Sequence, residues 1–226
     1  MIKAVVFDFD GLIVDTESLW FDVFREAMVE YDCDLKIEEF AVCVGTGADV
    51  LYEQLRRIAP KPINRTLIEQ KTDELYKMKI NELKLREGVL DYIQSAKESG
   101  LKIGLASSSS REWVEGFLNK FGIREFFEVV KTSDDVRRVK PDPELYLYAV
   151  QDLGIKPSEA LAFEDSKNGL TAAVKAGLNC VIVPNRVTDF LDFSGHIYRL
   201  SSMSEIQFPD LLSLVREKIL KANEPH

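Results

Sequence analysis

Two aspartates stand two residues apart directly after an apolar run near the start of the chain. Asp8 and Asp10 follow residues 4–7 and are followed in turn by Gly11. Carboxylates at the end of a buried strand are costly unless they are paired or bound to a cation, and a divalent ion such as Mg2+ prefers such oxygen ligands. Gly11 lets the backbone turn tightly and brings N–H groups close to an anion. The pattern indicates a metal or anion site, with a solvated turn as the alternative.

Three further polar positions follow apolar runs later in the chain. Ser107 opens a run of four serines, Lys140 begins a Lys-Pro-Asp-Pro segment, and Glu164 with Asp165 follows a third run. Taken singly, each of these has a plain alternative as a helix cap, a solvated loop or a turn. Because ligands bind at the carboxyl ends of parallel strands, we expect all of them to meet at one edge of a sheet.

The chemistry of this set is that of phosphoryl transfer. Two acidic pairs would hold a metal, a serine hydroxyl would bind phosphate oxygens, and one lysine would supply positive charge. Ser109 and Glu112 have the spacing of a capping box, which predicts a helix whose N-terminal N–H groups face the same anion. The prolines after Lys140 stiffen the loop that carries it.

The elements that must position these residues alternate between strands and helices. Short apolar runs predict strands, and segments of helical period separate the later ones. This alternation predicts an α/β fold with a doubly wound, parallel, Rossmann-like sheet. The predicted strands are residues 2–7, 102–106, 127–131, 160–163 and 180–183.

The region between the first and second predicted strands is different. Residues 16–84 contain helical stripes, such as the one through Trp20 and Phe24, and no convincing strand. We therefore predict an inserted helical cap over 16–84. The α/β catalytic core would comprise 1–15 and 85–226.

Composition limits the function classes. The chain has 226 residues and a net charge of −9, which argues against a nucleic-acid binder. Cys33, Cys43 and Cys180 are an odd number without metal-ligand spacing, which favours buried thiols in a reducing compartment. We find neither a signal-peptide core nor an apolar stretch of about 18 residues, so we expect a cytoplasmic protein that binds no membrane. The acidic surface favours a monomer.

Together, the four motifs resemble those of the haloacid dehalogenase (HAD) superfamily of phosphotransferases. The match runs from Val5 to about Pro184, and the segment 163–169 strengthens it. The helical insertion resembles the cap of the subgroup that contains β-phosphoglucomutase, phosphoglycolate phosphatase and sugar-phosphate phosphatases. The resemblance implies a small phosphorylated metabolite as substrate and Mg2+ as cofactor.

The resemblance also implies the roles of the acidic residues. Asp8 would be the nucleophile that forms an aspartyl phosphate, and Asp10 would be the general acid and then the general base. Mg2+ would be held by Asp8, the backbone carbonyl of Asp10 and Asp165. Glu164 would reach it directly or through water.

The remaining site residues would bind the substrate. Ser107 and Lys140 would hold the phosphate oxygens, and Lys140 would also screen Asp8 from its acidic neighbours. Further positions are assigned to the phosphate or to the rest of the substrate under the cap: Gly11, Ser108, Thr16, Trp20, Gly45 and Thr46. A tryptophan such as Trp20 would stack on a sugar or base there, or else belong to a helix core.

Departures from the family pattern separate the candidate chemistries. Asp10 argues against dehalogenation, because a halide leaving group needs no proton. β-Phosphoglucomutases carry a histidine after the first motif and an Arg and a Lys in the cap, and residues 17–20 and 42–49 contain none of these. We therefore predict a phosphatase, with a phosphomutase as the alternative. A signalling receiver is disfavoured because its acceptor Asp follows a middle strand, whereas Asp8 follows the first one. A purely structural role is disfavoured because it leaves the four motifs unexplained.

Overall fold

A six-stranded parallel sheet forms the centre of the computed structural model, which describes residues 1–44 and 48–222. The strand order is β3-β2-β1-β4-β5-β6. This arrangement confirms the predicted α/β, doubly wound fold. The strands are β1 (Ala4–Phe7), β2 (Lys102–Ala106), β3 (Val129–Lys131), β4 (Ala160–Glu164), β5 (Asn179–Ile182) and β6 (Tyr198–Arg199).

Nine α-helices lie within the described residues. They are α1 (Thr16–Met28), α2 (Ile37–Ala41), α3 (Ala48–Ile58), α4 (Arg65–Lys79), α5 (Val89–Glu98), α6 (Arg111–Lys120), α7 (Glu144–Asp152), α8 (Lys167–Lys175) and α9 (Phe208–Ala222). None of them is long and apolar enough to span a bilayer.

The central strands are buried on both faces, which explains why they are continuous apolar runs rather than alternating ones. Val5 and Phe7 belong to an apolar cluster with residues of α5, α6 and α9. Ala4 and Val6 belong to a second cluster with residues of α7 and α8. Helices on both faces therefore hold the strand ends in fixed positions.

The strand register brings the polar positions to one edge. Phe7 pairs with Leu105 of β2 on one side and with Phe163 of β4 on the other. Asp8, which follows Phe7, is therefore level with Glu164, and Ser107 lies one residue further along the neighbouring strand. This is the arrangement that the apolar runs predicted.

Helices α1 to α4 share a third apolar cluster, which also includes Val187 from the loop after β5. Phe24 packs there against Phe40 in a tilted arrangement and against Tyr52 edge-on. Helix α1 begins after Asp15, whose carboxylate accepts from the N–H of Ser18 at 3.0 Å. The division into core and cap stays a prediction.

The two chain segments that connect this helical region to the sheet lie side by side. Val14 and Leu85 form an antiparallel bridge, and the Arg86 N–H donates to the Ile13 carbonyl at 2.9 Å. The Arg86 guanidinium also donates to the Gly11 carbonyl at 2.5 Å, and to two carbonyls that follow β5. One partly buried cation thus ties both connections to the strand ends.

Some local predictions need correction. Helix α6 is capped by Ser110, which accepts from the Trp113 N–H at 3.4 Å, so the predicted cap at Ser109 is wrong by one residue. Strand β6 was not predicted because it has two residues and no apolar run. All three cysteines are buried thiols, as expected.

Candidate active site

Lys140 lies at the centre of a buried ionic cluster at the carboxyl edge of the sheet. Its ammonium group donates to Asp8 and, at 2.6 Å, to Oε1 of Glu164. All three side chains are buried, and so is Asp165. Residues from the ends of β1 and β4 and from the loop before α7 therefore meet in one place.

Glu164 accepts hydrogen bonds on both of its carboxylate oxygens. Oε1 accepts from Tyr146 at 2.6 Å as well as from Lys140, and Oε2 accepts from the Ser166 hydroxyl at 3.3 Å. Gly169, in the first turn of α8, leaves room for this carboxylate, since a Cβ there would overlap it. The side chain is thus held in one position.

The cluster holds more negative than positive charge. Burial raises the pKa of Asp8 against the opposing effect of Lys140, and Glu164 adds to the rise. Burial also raises the pKa of Asp165, with further contributions from Asp8 and Glu164. For Lys140, burial lowers the pKa, but the two carboxylates outweigh it and hold the pKa above its ordinary value.

This donor set fits a divalent metal ion. Carboxylate oxygens of Asp8, Glu164 and Asp165 lie within 4.8 Å of one another. Three buried carboxylates beside one lysine leave a net negative charge, which a cation with a preference for hard oxygen ligands would neutralise. Burial and the neighbouring carboxylates raise the pKa values of Asp8 and Asp165. The same buried negative charge would attract such an ion.

Asp165 is held by the loop after β5. The Asn185 side-chain amide donates to Oδ2 of Asp165 at 2.7 Å and to the Gly11 carbonyl at 3.3 Å. Gly11 has a φ of +79°, and a Cβ there would overlap the Asp165 carboxylate. Its own N–H donates to the Val14 carbonyl at 2.7 Å. Glycine is therefore required at this position by both conformation and space.

The Asp10 carboxylate accepts hydrogen bonds from four side chains. Oδ1 accepts from Nε1 of Trp113 at 2.9 Å and from the Thr16 hydroxyl at 3.1 Å. Oδ2 accepts from the Ser109 hydroxyl at 2.6 Å and from the Ser107 hydroxyl at 3.4 Å. Thr16 thus contacts Asp10 directly, and the serine run faces the acidic pair.

A cleft of about 340 Å3 opens above these groups. Its lining includes Asp8, Asp10 and Lys140 on the sheet side, with Glu17 and Trp20 of α1 on the other. A second cavity of about 370 Å3, inside the helical region, shares Glu17 and Trp20 with the cleft. The cleft and the cavity are therefore adjacent.

Glu17 adds an acidic group to the upper wall of the cleft. Burial, and then the charges of Asp10 and Asp15, raise its pKa from 4.5 to about 7. Trp20 stacks on Tyr76 with ring centroids 4.2 Å apart, so this tryptophan both lines the cleft and packs between helices.

The structure brings most of the predicted site residues together, and their roles stay predictions. Ser108 lies exposed at the rim of the cleft. Gly45 and Thr46 lie outside the described residues. The predicted residues that meet in or beside the cleft are Asp8, Asp10, Gly11, Thr16, Trp20, Ser107, Ser108, Lys140, Glu164 and Asp165.

Sequence reasoning missed several residues of this site, among them Asn185, Trp113 and Glu17. Asn185 follows the end of β5, so the rule that located Asp8 and Glu164 would also have found it. Trp113 stands on an apolar helical stripe, where nothing in the sequence distinguishes it from a core residue. Glu17 is one of several acids in its helix, and only the packing of α1 places it in the cleft.

Comparison with known proteins gives consistent matches over almost the whole chain. A family model described as haloacid dehalogenase-like hydrolase matches residues 5–183. YhcW of Bacillus subtilis (strain 168), which is named as a phosphatase, is 46% identical over 213 residues, covering 94% of this chain and 97% of that protein. Hexitol phosphatase B of Escherichia coli (strain K12) is 29% identical over 215 residues, covering 93% and 97%.

A solved structure supports the same placement. The CbbY mutant from Rhodobacter sphaeroides, in complex with xylulose-(1,5)bisphosphate, superimposes with a TM-score of 0.70 at 31% identity. The match covers 91% of this chain and 96% of that chain.

Proposed function

Because the chain belongs to the haloacid dehalogenase-like hydrolase family, we propose that it is a Mg2+-dependent phosphatase acting on a small phosphorylated sugar or a similar monophosphate. The observation that carries this proposal is the convergence of Asp8, Asp10 and Lys140 with a further acidic pair beneath one cleft. Relatives named as phosphatases, one of hexitols, support the choice of substrate class.

Asp8 and Asp165, together with the backbone carbonyl of Asp10, would hold the Mg2+. When bound, the ion neutralises charge on the phosphoryl group and lets an anionic nucleophile approach it. We assign Glu164 to the orientation of Lys140, because its two oxygens already accept from Lys140, Tyr146 and Ser166.

In the first step, a carboxylate oxygen of Asp8 attacks phosphorus. A bond forms between Asp8 and phosphorus, and the bond from phosphorus to the sugar oxygen breaks. Asp10 donates a proton to that leaving oxygen. Lys140 and the Ser107 hydroxyl bind the phosphoryl oxygens and stabilise the charge that develops on them.

In the second step, water hydrolyses the aspartyl phosphate. Asp10, now ionised, takes a proton from the water as its oxygen attacks phosphorus. The bond between phosphorus and Asp8 breaks, which restores the Asp8 carboxylate and releases inorganic phosphate. Both steps need Asp10 close to the oxygen that gains or loses a proton, which agrees with the four donors that hold it.

We further propose that residues 16–84 act as a cap that selects the leaving group and excludes water during the attack. Among the described residues that line the cleft and the second cavity, Lys140 is the cationic side chain, and it belongs to the phosphate site. The upper walls instead carry Glu17, aromatic rings and a threonine. A neutral polyol fits this lining better than a second phosphate.

A phosphomutase is the second candidate, since its chemistry uses the same acidic pair. A mutase needs cationic side chains that bind a second phosphate, and the lining described above does not supply them. If the chain were a mutase, a sugar bisphosphate would support isomer interconversion faster than phosphate release.

Phosphate release from a panel of sugar and polyol monophosphates, with and without Mg2+, tests the proposal. The wild type should hydrolyse at least one of them only with Mg2+, and Asp8→Asn should lose this activity. Asp91→Asn, an exposed aspartate of α5, is the matched control and should behave as wild type. Equal activity of wild type and Asp8→Asn across the panel would reject the proposal.

A further inference from the structure

Trp113 belongs to the sheet core through helix α6, yet its polar atom points at the acidic pair. The indole Nε1–H donates to Oδ1 of Asp10 at 2.9 Å, an ordinary length for a good N–H···O bond. The two residues are 103 positions apart in the chain. This contact is therefore a product of the tertiary fold.

The indole is itself held by aromatic neighbours. Phe117, one turn along α6, packs edge-on against it with ring centroids 4.9 Å apart. Tyr76 of α4 stacks over it at 6.2 Å, and Tyr76 in turn stacks on Trp20. These contacts fix the plane of the indole and so fix the direction of its N–H.

The four donors to Asp10 differ in kind. The hydroxyls of Thr16, Ser107 and Ser109 can rotate and can also accept hydrogen bonds, so they can exchange Asp10 for a substrate oxygen. An indole N–H donates only, and its ring is held in place. On Oδ1, Trp113 is thus the donor with a fixed direction, whereas the donors to Oδ2 among the described residues are the rotatable hydroxyls of Ser107 and Ser109.

Resting on the phosphatase function proposed above, we propose that Trp113 is a positioning residue for Asp10. Its N–H anchors Oδ1 and thereby leaves Oδ2 as the oxygen that carries the proton to the leaving group. In the first step, the O–H bond at Oδ2 breaks as the proton passes to the sugar oxygen. Trp113 touches neither substrate nor metal and acts through Asp10.

The variant Trp113→Phe tests this inference, because it keeps an aromatic ring and removes the N–H. The readout is kcat/KM, which covers the steps up to formation of the aspartyl phosphate, measured with Mg2+ on two esters. One is the best alkyl phosphate of the panel, whose alkoxide must be protonated. The other is 4-nitrophenyl phosphate, whose leaving group is stable without a proton.

We expect Trp113→Phe to lower kcat/KM about tenfold on the alkyl phosphate, the loss typical of one hydrogen bond to a charged group. On 4-nitrophenyl phosphate the change should stay within about twofold. Phe117→Leu is the control, since it loosens the same aromatic packing without touching Asp10. It should affect the two esters equally.

Two outcomes would overturn the inference. An equal loss on both esters would mean that the ring acts only through packing, and no loss on either would mean that the hydrogen bond has no effect on Asp10. If Trp113→Phe does not fold, Trp113→Leu, which likewise carries no side-chain hydrogen-bond donor, gives the same comparison. Failure of the proposed function itself is distinguishable, because the wild type would then hydrolyse neither ester in an Asp8-dependent way.

Discussion

The side-chain amide of Asn185 donates to Oδ2 of Asp165 across 2.7 Å, so the loop after β5 orients a carboxylate that follows β4. Asn185 is itself fixed, because its Oδ1 accepts from the N–H groups of Val187 and Thr188. Groups that orient a metal ligand in this way typically change metal affinity by 10- to 100-fold when they are removed.

We therefore expect Asn185→Ala to raise the Mg2+ concentration needed for half-maximal phosphatase activity by at least about tenfold. Calorimetric titration with Mg2+ would measure the same loss without substrate. Thr188→Val is the matched control, because it removes a hydroxyl that accepts from the Asn185 N–H but does not contact Asp165. Equal Mg2+ dependence in Asn185→Ala and wild type would exclude the orienting role.

Lys140 is the cation that compensates Asp8 and Glu164, so its removal should destabilise the metal-free protein. Removing one partner of a buried ion pair typically costs about 3–5 kcal/mol, because the remaining charge stays buried and unpaired. We expect Lys140→Met to lower the free energy of unfolding by about this amount at pH 8 in EDTA, as measured by urea denaturation.

Adding Asp8→Asn to Lys140→Met should recover part of that loss, because it removes one of the uncompensated carboxylates. Lys175→Met, an exposed lysine in the last turn of α8, is the control and should change stability by less than about 0.5 kcal/mol. A double variant less stable than Lys140→Met alone would contradict the charge argument.

Glu17 should make the stability of the metal-free protein depend on pH. Its pKa in the folded protein is about 7, against 4.5 ordinarily, so between these values the folded state binds more protons than the unfolded state. Stability then falls as the pH rises through this window. Glu17→Gln removes the contribution of Glu17 while those of Asp8 and Asp165 remain, and its stability advantage over wild type should grow from near zero at pH 4.5 to about 2–3 kcal/mol at pH 8.

Urea denaturation of both proteins in EDTA across pH 4.5–8 measures this difference. Glu53→Gln, an exposed glutamate of α3, is the control and should follow wild type at every pH. If the free energy of unfolding of Glu17→Gln runs parallel to that of wild type across this pH range, the Glu17 carboxylate has the same pKa in the folded and the unfolded state.

Two helical glycines should respond oppositely to alanine. A Cβ at Gly116 of α6 meets nothing within 4 Å, so Gly116→Ala should stabilise the protein by about 0.5–1 kcal/mol. A Cβ at Gly169 of α8 overlaps the Glu164 carboxylate. We expect Gly169→Ala to lower the melting temperature and to reduce kcat by displacing Glu164 from Lys140. Stabilisation by both substitutions would mean that Glu164 is not confined as described.

The local sequence was sufficient to predict the sheet edge. Apolar runs predict buried strands, and parallel strands end at the same edge, so Asp8, Ser107 and Glu164 were expected at one edge. The strand order β2-β1-β4, which makes them neighbours, comes from the structure. The same rule applies to Asn185, which follows the end of β5. The parallel α/β fold was predicted on this basis, and the family was predicted from the resemblance of the four motifs; both are confirmed.

Tertiary structure alone decided how the acidic pair is held. The sequence determined that Asp8 and Asp10 follow one buried strand, that Asp165 follows another, and that Lys140 lies in a loop stiffened by prolines. It contains no local pattern that aims Trp113 at Asp10, because the direction of an indole N–H depends on rings from α4 and α6 that pack around it. Periodicity assigns a residue to a helix face, whereas hydrogen-bond partners depend on which other elements meet that face.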